Sequence, residues 1–315
     1  MGYRPAELVV GAVQLGVAYG AANRTGKPTR DAALRLVRRA ADHGVAQFDT
    51  SRDYGDSEER LGEALDGRRT VRVLTKLDTL KHLSPDAPSG VVCEAVDDSI
   101  AKSCAALRRP QLDCLMLHRA HLRHAFGGAV WDRLREHLRQ GTVKALGVSV
   151  QSPREALGAL GDPDIRHIQL PFNILDWRWR EAGVIAARAK RPDVAIHARS
   201  IFLQGILAAN DPALWPVISG VAPSSVVTWL AKTAAHYGRE SAADLCLAYA
   251  RGQDWIDGVV VGMETESQVD ANIRLYALPP LDRAECTAIE GGAPRMPNAL
   301  LDPAQWPQKT EAAPS

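Results

Sequence analysis

Four residues that differ in charge and titration range carry the chemical signal of this chain. Asp49 lies in the apolar run VAQFDTS (45–51), and Tyr54 follows five residues later. Lys76 lies at the end of VRVLTKL (71–77), and His118 closes LDCLMLH (112–118). Together they suit proton transfer to a carbonyl oxygen. A phenol ordinarily titrates near about 10 and is a poor acid at neutral pH. An ammonium beside it stabilises the phenolate and makes it a better acid. A carboxylate beyond the ammonium keeps that charge in place, and a histidine nearby orients the carbonyl or shuttles the proton. The set lacks a reductant, because no side chain donates hydride, so a nicotinamide cofactor is the expected source.

Four such groups converge only if the fold gathers strand ends at one place. Eight short runs rich in Val, Ile and Leu recur along the chain: 7–16, 45–51, 71–77, 112–118, 143–150, 167–173, 194–201 and 258–263. They are nearly continuous rather than alternating, as strands of a parallel sheet buried on both faces are. Helical patterns lie between them, over 29–44, 57–65, 91–107, 131–141, 152–160, 223–237, 241–251 and 266–277. Ser57 and Ser152 stand as candidate N-caps, and Gly44 and Gly141 as C-terminal stops. Alternation of this kind predicts an α/β fold, a single-domain (β/α)8 TIM barrel over residues 1–291. Residues 292–315, with five prolines, are expected to drape the surface or to be partly disordered. No Gly-x-Gly-x-x-Gly follows the first strand, so a Rossmann site is not indicated.

Composition narrows the function classes. The chain has 315 residues, with 38 Lys and Arg against 37 Asp and Glu. Such a balance gives no general positive field for nucleic acid. No apolar run reaches the roughly 18 residues of a membrane span. The five cysteines, Cys93, Cys104, Cys114, Cys246 and Cys286, never form a Cys-x-x-Cys pair. That argues against a disulfide framework or a zinc site and fits the cytoplasm. The N-terminus lacks the pattern of a secretory signal. The expected partner is a small carbonyl compound, with no nucleic acid, membrane or metal; the oligomeric state is left open.

The segment FDTSRDYG (48–55) resembles the FDTAxxYG segment of the aldo-keto reductase superfamily. GDSEERLGEAL (55–65), VLTKL, LMLH, ALGVS, HIQLPFNILD, RSIFLQGIL and VVVGMETESQVDAN follow in that family's order, over about residues 7–280. The resemblance implies reduction of an aldehyde or ketone to an alcohol by NAD(P)H, with Asp49, Tyr54, Lys76 and His118 as the catalytic four and Tyr54 as proton donor. It implies that Ser149 and Gln169 hold the nicotinamide carboxamide. Ser200, Leu203 and Gly205 would contact the pyrophosphate, and Gly262, Met263, Gln268 and Asn272 the adenosine half. The combination of RSIFLQGIL with VQLGVAYGAAN (13–23) looks most like a bacterial subgroup found with sugar-modifying genes, which hints at a sugar-like substrate.

Three positions depart from the family's pattern. Val150 replaces an Asn that follows the Ser, and Arg199 replaces an aromatic residue that stacks on the nicotinamide. A guanidinium plane can also stack there. Glu264 and Gln268 stand where basic residues commonly grip the 2′-phosphate of NADP(H), which raises the case for NAD(H). Tyr19, Trp177 and Trp179 fall in loops at the mouth end and are candidate walls of a substrate pocket. Arg52 is a candidate contact for an acidic substrate, or otherwise pairs with Asp53 or Asp56. The alternative function is a cofactor-binding, redox-sensing or regulatory partner with little turnover.

Overall fold

A computed structural model describes residues 5–307. Eight parallel strands close into a barrel in sequence order: β1 Glu7–Gly11, β2 Gln47–Asp49, β3 Arg72–Lys76, β4 Cys114–Leu117, β5 Leu146–Ser149, β6 Ile165–Pro171, β7 Ala195–Arg199 and β8 Gly258–Gly262. The strands are shorter than the apolar runs that announce them, because each run also includes residues that leave the barrel toward the helices. The expected (β/α)8 barrel is the fold observed.

Alternation along each strand sorts the side chains. Leu8, Val10, Phe48, Leu115, Val148, Ile168, Ile196 and Val259 point outward and join the large core beneath the helices. Leu74, Cys114 and Met116 form a separate small cluster inside the barrel. Asp49, Lys76, Ser149, Gln169 and Arg199 share the inward parity and sit at the strand ends that open on the mouth. The opposite end of the interior is also polar. His167 and His197 meet edge to face with ring centroids 4.2 Å apart. Gly258 has no side chain because a Cβ there would stand 2.7 Å from the His197 ring.

Local signals account for the helix boundaries. Helix Arg30–Asp42 starts on Thr29, whose hydroxyl accepts from the Ala32 amide, and Gly44 beyond it takes φ +87°. Helix Pro153–Leu160 starts with a full capping box between Ser152 and Glu155. Ser57, expected to cap helix Ser57–Ala64, is instead its first residue; Asp56 precedes it without a side-chain cap bond. The Ser57 hydroxyl donates to the Ala12 carbonyl at 2.8 Å and so ties that helix to β1. Helix Arg283–Gly292 extends beyond the helical patterns read from the sequence, although its capping box, Asp282 with Glu285, is written there.

The segment after it packs closely. Helix Asn298–Leu301 buries Leu300 and Leu301 completely, and Met296 is nearly buried. The indole N–H of Trp177 donates to the Met296 carbonyl at 3.0 Å. Residues 308–315 of the expected tail lie outside the described residues.

The buried histidines make stability depend on pH. Burial, with the charge of Arg72 adding to it, brings His197 down to about 3, against an ordinary value of 6.5. The unfolded chain therefore binds a proton that the folded chain refuses at any pH between those values. This contribution to stability is complete above the ordinary value and is lost as pH falls below it. Melting temperature should fall between about pH 7 and pH 5, and less steeply in His197→Leu than in the parent chain. Parallel slopes would contradict the assignment.

Candidate active site

Lys76 is 1% exposed, yet it is fully partnered. Its Nζ donates to both Asp49 carboxylate oxygens and to the Thr50 carbonyl, each at 2.8 Å. Gln169, arriving from β6, donates its amide to Asp49 Oδ1 at 2.8 Å. Burial, the largest single influence, pulls the Lys76 ammonium toward losing its proton, but the charge and hydrogen bonds of Asp49 together with Tyr54 outweigh it, so Lys76 is held above its ordinary range. Such a pair is expensive to desolvate and persists only when its remaining hydrogen-bonding capacity is met, as it is here.

Tyr54 stands over this pair, with its ring centroid 5.0 Å from Lys76 Nζ. The loop that carries it is pinned along its length. The Thr50 and Arg52 amides donate to the Leu74 and Lys76 carbonyls, continuing the β2–β3 ladder, and the Tyr54 amide turns back to Ser51. Thr75 Oγ1 donates to Glu58 Oε1 at 2.6 Å, and Arg52 pairs with Glu58 and Glu59. Across from the loop, Gly16 makes the close approach possible: a Cβ there would lie 1.6 Å from the Tyr54 carbonyl oxygen.

His118 meets Tyr54 edge to face, with ring centroids 5.6 Å apart. Its Nδ1 lies 2.9 Å from Asp53 Oδ2 and 3.2 Å from Ser51 Oγ. Burial is the largest influence on the ring and holds it below its ordinary range, although Asp53 pulls the other way. Asp53, despite its own partial burial, is held below the usual carboxylate range by the hydrogen bond to His118. A carboxylate facing Nδ1 requires a proton there, which leaves Nε2 as the atom that exchanges a proton with the cavity. Neighbouring residues in the chain gave no spacing signal for Asp53; it reaches the ring only because the β2 and β4 loops face each other.

These groups line one cavity of about 880 Å³ across the barrel mouth. Its wall includes Asp49, Tyr54, His118, Tyr19, Ser149, Gln169, Arg199, Ser200, Gly205, Gly262, Glu264, Gln268 and Asn272. Six of the residues singled out from the sequence stand elsewhere, and the reasons are physical. Lys76 lies behind Asp49. Leu203 and Met263 are fully buried in the outer core, so their side chains do not face the cavity. Arg52 is neutralised by Glu58 and Glu59 rather than by Asp53 or Asp56. Trp179 is fully buried and donates to Asp176 at 3.0 Å, while Trp177 is held by Met296 and lies under Arg295. The wall also contains Gln14, Asp53, Thr79, Lys81 and Arg119, which strand-end reasoning missed because loops have no regular parity. Val150 turns its side chain into the outer core, and its carbonyl accepts from Arg199 Nη2 at 3.3 Å.

The family model for the aldo/keto reductase family matches residues 7–292. The chain belongs to the aldo/keto reductase family. Among solved structures, this aldo/keto reductase chain is similar to the holo form of an aldo-keto reductase from Bacillus halodurans, at 21% identity and a TM-score of 0.73 over 94% of this chain and 97% of that one. It is also similar to a Pseudomonas aeruginosa protein assigned to the aldo-keto reductases, at 20% identity and a TM-score of 0.58 over 88% and 91% of the two chains. At these identities the likeness speaks to the fold. No curated protein matches the chain by sequence.

The clamp between Gly16 and Tyr54 has a measurable consequence. Gly16→Ala must move the Tyr54 backbone, and a misplacement of about 1 Å at a reacting group costs on the order of a hundredfold in rate. The variant should fold, lose stability by about 1–3 kcal/mol, and lose most of its turnover. Unchanged turnover would show that this contact does not position Tyr54.

Proposed function

We propose that the protein reduces an aldehyde or ketone to an alcohol, with Tyr54 as the proton donor and NADH as the preferred reductant. The observation that carries this reading is the buried Asp49–Lys76 pair facing Tyr54, with His118 at the edge of the same ring.

The cavity suits a dinucleotide. Its volume lies in the upper part of the range of about 300–1,000 Å³ for ligand and cofactor sites. Gln14 lines the wall between β1 and β8, and its Oε1 is buried without a hydrogen-bond partner in the described structure. A polar ligand in the cavity would relieve that cost. The Ser149 hydroxyl is available to a carboxamide, and one N–H of Gln169 is already committed to Asp49, which leaves its carbonyl oxygen and second N–H for the same purpose. The loop after β7 places Ser200, Leu203 and Gln204 at positive φ, and Gly205 turns tightly against Ala22. Such strain clusters where backbone must be presented to a ligand. When bound, the nicotinamide supplies a hydride to the carbonyl carbon.

The residues of the chain manage the proton. Lys76 keeps a positive charge next to the ring that must become a phenolate, and Asp49 keeps Lys76 charged. Tyr54 gives its proton to the carbonyl oxygen as negative charge develops there. His118, fixed by Asp53, orients the carbonyl and returns a proton from solvent.

The preference for NADH follows from the β8 corner. Glu264 and Gln268 hold each other there: the Glu264 amide donates to Gln268 Oε1 at 2.7 Å, and Gln268 Nε2 donates to Glu264 Oε2 at 3.1 Å. Of the cations of the cavity wall, Lys81 and Arg119 follow β3 and β4, and Arg199 ends β7. A 2′-phosphate at this corner would face a carboxylate without a guanidinium or ammonium to offset it.

Titration of tryptophan fluorescence with each cofactor, followed by turnover assays, tests both parts. NADH should bind more tightly than NADPH. Tyr54→Phe should bind NADH as the parent does while losing at least about a hundredfold of turnover, the scale of general acid catalysis. Near-parental turnover in that variant would contradict the role of Tyr54, and tighter NADPH binding would contradict the role of Glu264.

A further inference from the structure

The cavity is electrically lopsided, and its polarity follows from the barrel. In a closed ring of eight strands taken in order, β4 lies opposite β8. Glu264 follows β8, whereas Arg119 follows β4 directly after His118, and Lys81 follows β3. Both Lys81 and Arg119 line the cavity and are exposed to solvent; neither has a carboxylate of the described residues within ion-pair distance, although the charge of Lys81 reaches Asp53. Arg199 adds a third cation. It is drawn into the wall, and its hydrogen bonds, to the Val150 carbonyl at 3.3 Å and the Ser200 hydroxyl at 3.4 Å, are long and made to neutral oxygens.

The carboxylates on this side offset only part of this charge. Asp49 is cancelled by Lys76, and Asp53, hydrogen-bonded to His118 Nδ1, sets one negative charge against the nearby Lys81. Arg52, a further cation in the chain nearby, is paired with two carboxylates, Glu58 and Glu59, and adds no positive charge. With Asp53 set against one of the three cations Lys81, Arg119 and Arg199, this end still presents an excess of positive charge where a carbonyl would approach Tyr54 and His118. A cleft with low-dielectric walls focuses such a field onto its ligand.

We infer that the substrate is an anionic carbonyl compound, one that carries a carboxylate or phosphate group which Lys81 and Arg119 engage while its carbonyl meets Tyr54 and His118. This rests on the reductase reading above and adds the chemical class of the substrate. Lys81 and Arg119 are specificity-determining residues in this account. Their reach matters: long flexible side chains at a rim select for charge and tolerate variation in chain length.

The test compares substrates matched in length and differing in charge, each with NADH: 4-oxobutanoate against butanal, and glyceraldehyde 3-phosphate against glyceraldehyde. In at least one pair kcat/KM should favour the anion by about tenfold or more, as a charged hydrogen bond does. The pair with the larger ratio identifies the anion. That ratio should shrink as salt is added, because exposed charges are screened. In the double variant Lys81→Gln/Arg119→Gln it should fall towards one. Equal kcat/KM within both pairs, with butanal turned over normally, would overturn the anion proposal and leave the reductase reading standing. A double variant that weakens NADH binding and keeps the ratio would assign the two cations to the cofactor, which also overturns it. Oxidation of neither NADH nor NADPH with any of the four compounds would remove the reductase reading and this inference with it.

Discussion

The ion pair between Lys76 and Asp49 is the interaction around which the site is organised. Burying two charges costs more than an apolar pair of the same volume would, and well-packed hydrophobic residues commonly replace such pairs without loss of stability. The fold nevertheless surrounds this one with what it needs: the Thr50 carbonyl on the lysine and the Gln169 amide on the aspartate. Those groups come from β2, β3 and β6, so the pair exists only in a closed barrel with the observed strand order. What the arrangement achieves is a fixed, buried positive charge 5.0 Å from the ring of a tyrosine.

The rest of the mouth is built to hold Tyr54 against that charge. The loop between Asp49 and Ser57 contains no regular element, yet its backbone continues the β2–β3 ladder, and its end is tied to β1 through Ser57 and Ala12. Gly16 allows the two backbones to touch. Rigidity of this kind suits proton transfer, because a general acid works only within hydrogen-bonding reach of its target. The charged loop residues lie farther out, where Lys81, Arg119 and Glu264 after β3, β4 and β8, with Arg199 at the end of β7, set the charge of each end of the cavity.

The fold and the strand-end members of the candidate site were legible in the sequence because both rest on regular alternation. Buried strands of a parallel barrel are continuous apolar runs, and a polar residue that ends such a run stands at the mouth. Asp49, Lys76, Ser149, Gln169 and Arg199 follow that rule. Loop residues do not. Arg52 and Asp53 are adjacent, yet one turns to the helix Ser57–Ala64 and the other to His118. Trp177 and Trp179 follow β6 as a pocket wall would, but one is held by the C-terminal segment and the other is sealed in the core. Leu203 and Met263 are apolar and close to the site in sequence, and the outer core takes them. Lys81 and Arg119 read as ordinary surface charges until the barrel brings β3 and β4 to one side of the cavity and β8 to the other.

On the reductase reading the site adds hydride and a proton across a carbonyl, and the fate of a labelled hydride tests that most directly. The enzyme would be supplied with NADH carrying deuterium at both C4 positions and an aldehyde it turns over, and the alcohol analysed by mass and by NMR. One deuterium on the former carbonyl carbon, with the hydroxyl proton drawn from solvent, is the predicted result. An alcohol without deuterium, or loss of the aldehyde without oxidation of NADH, would contradict the account.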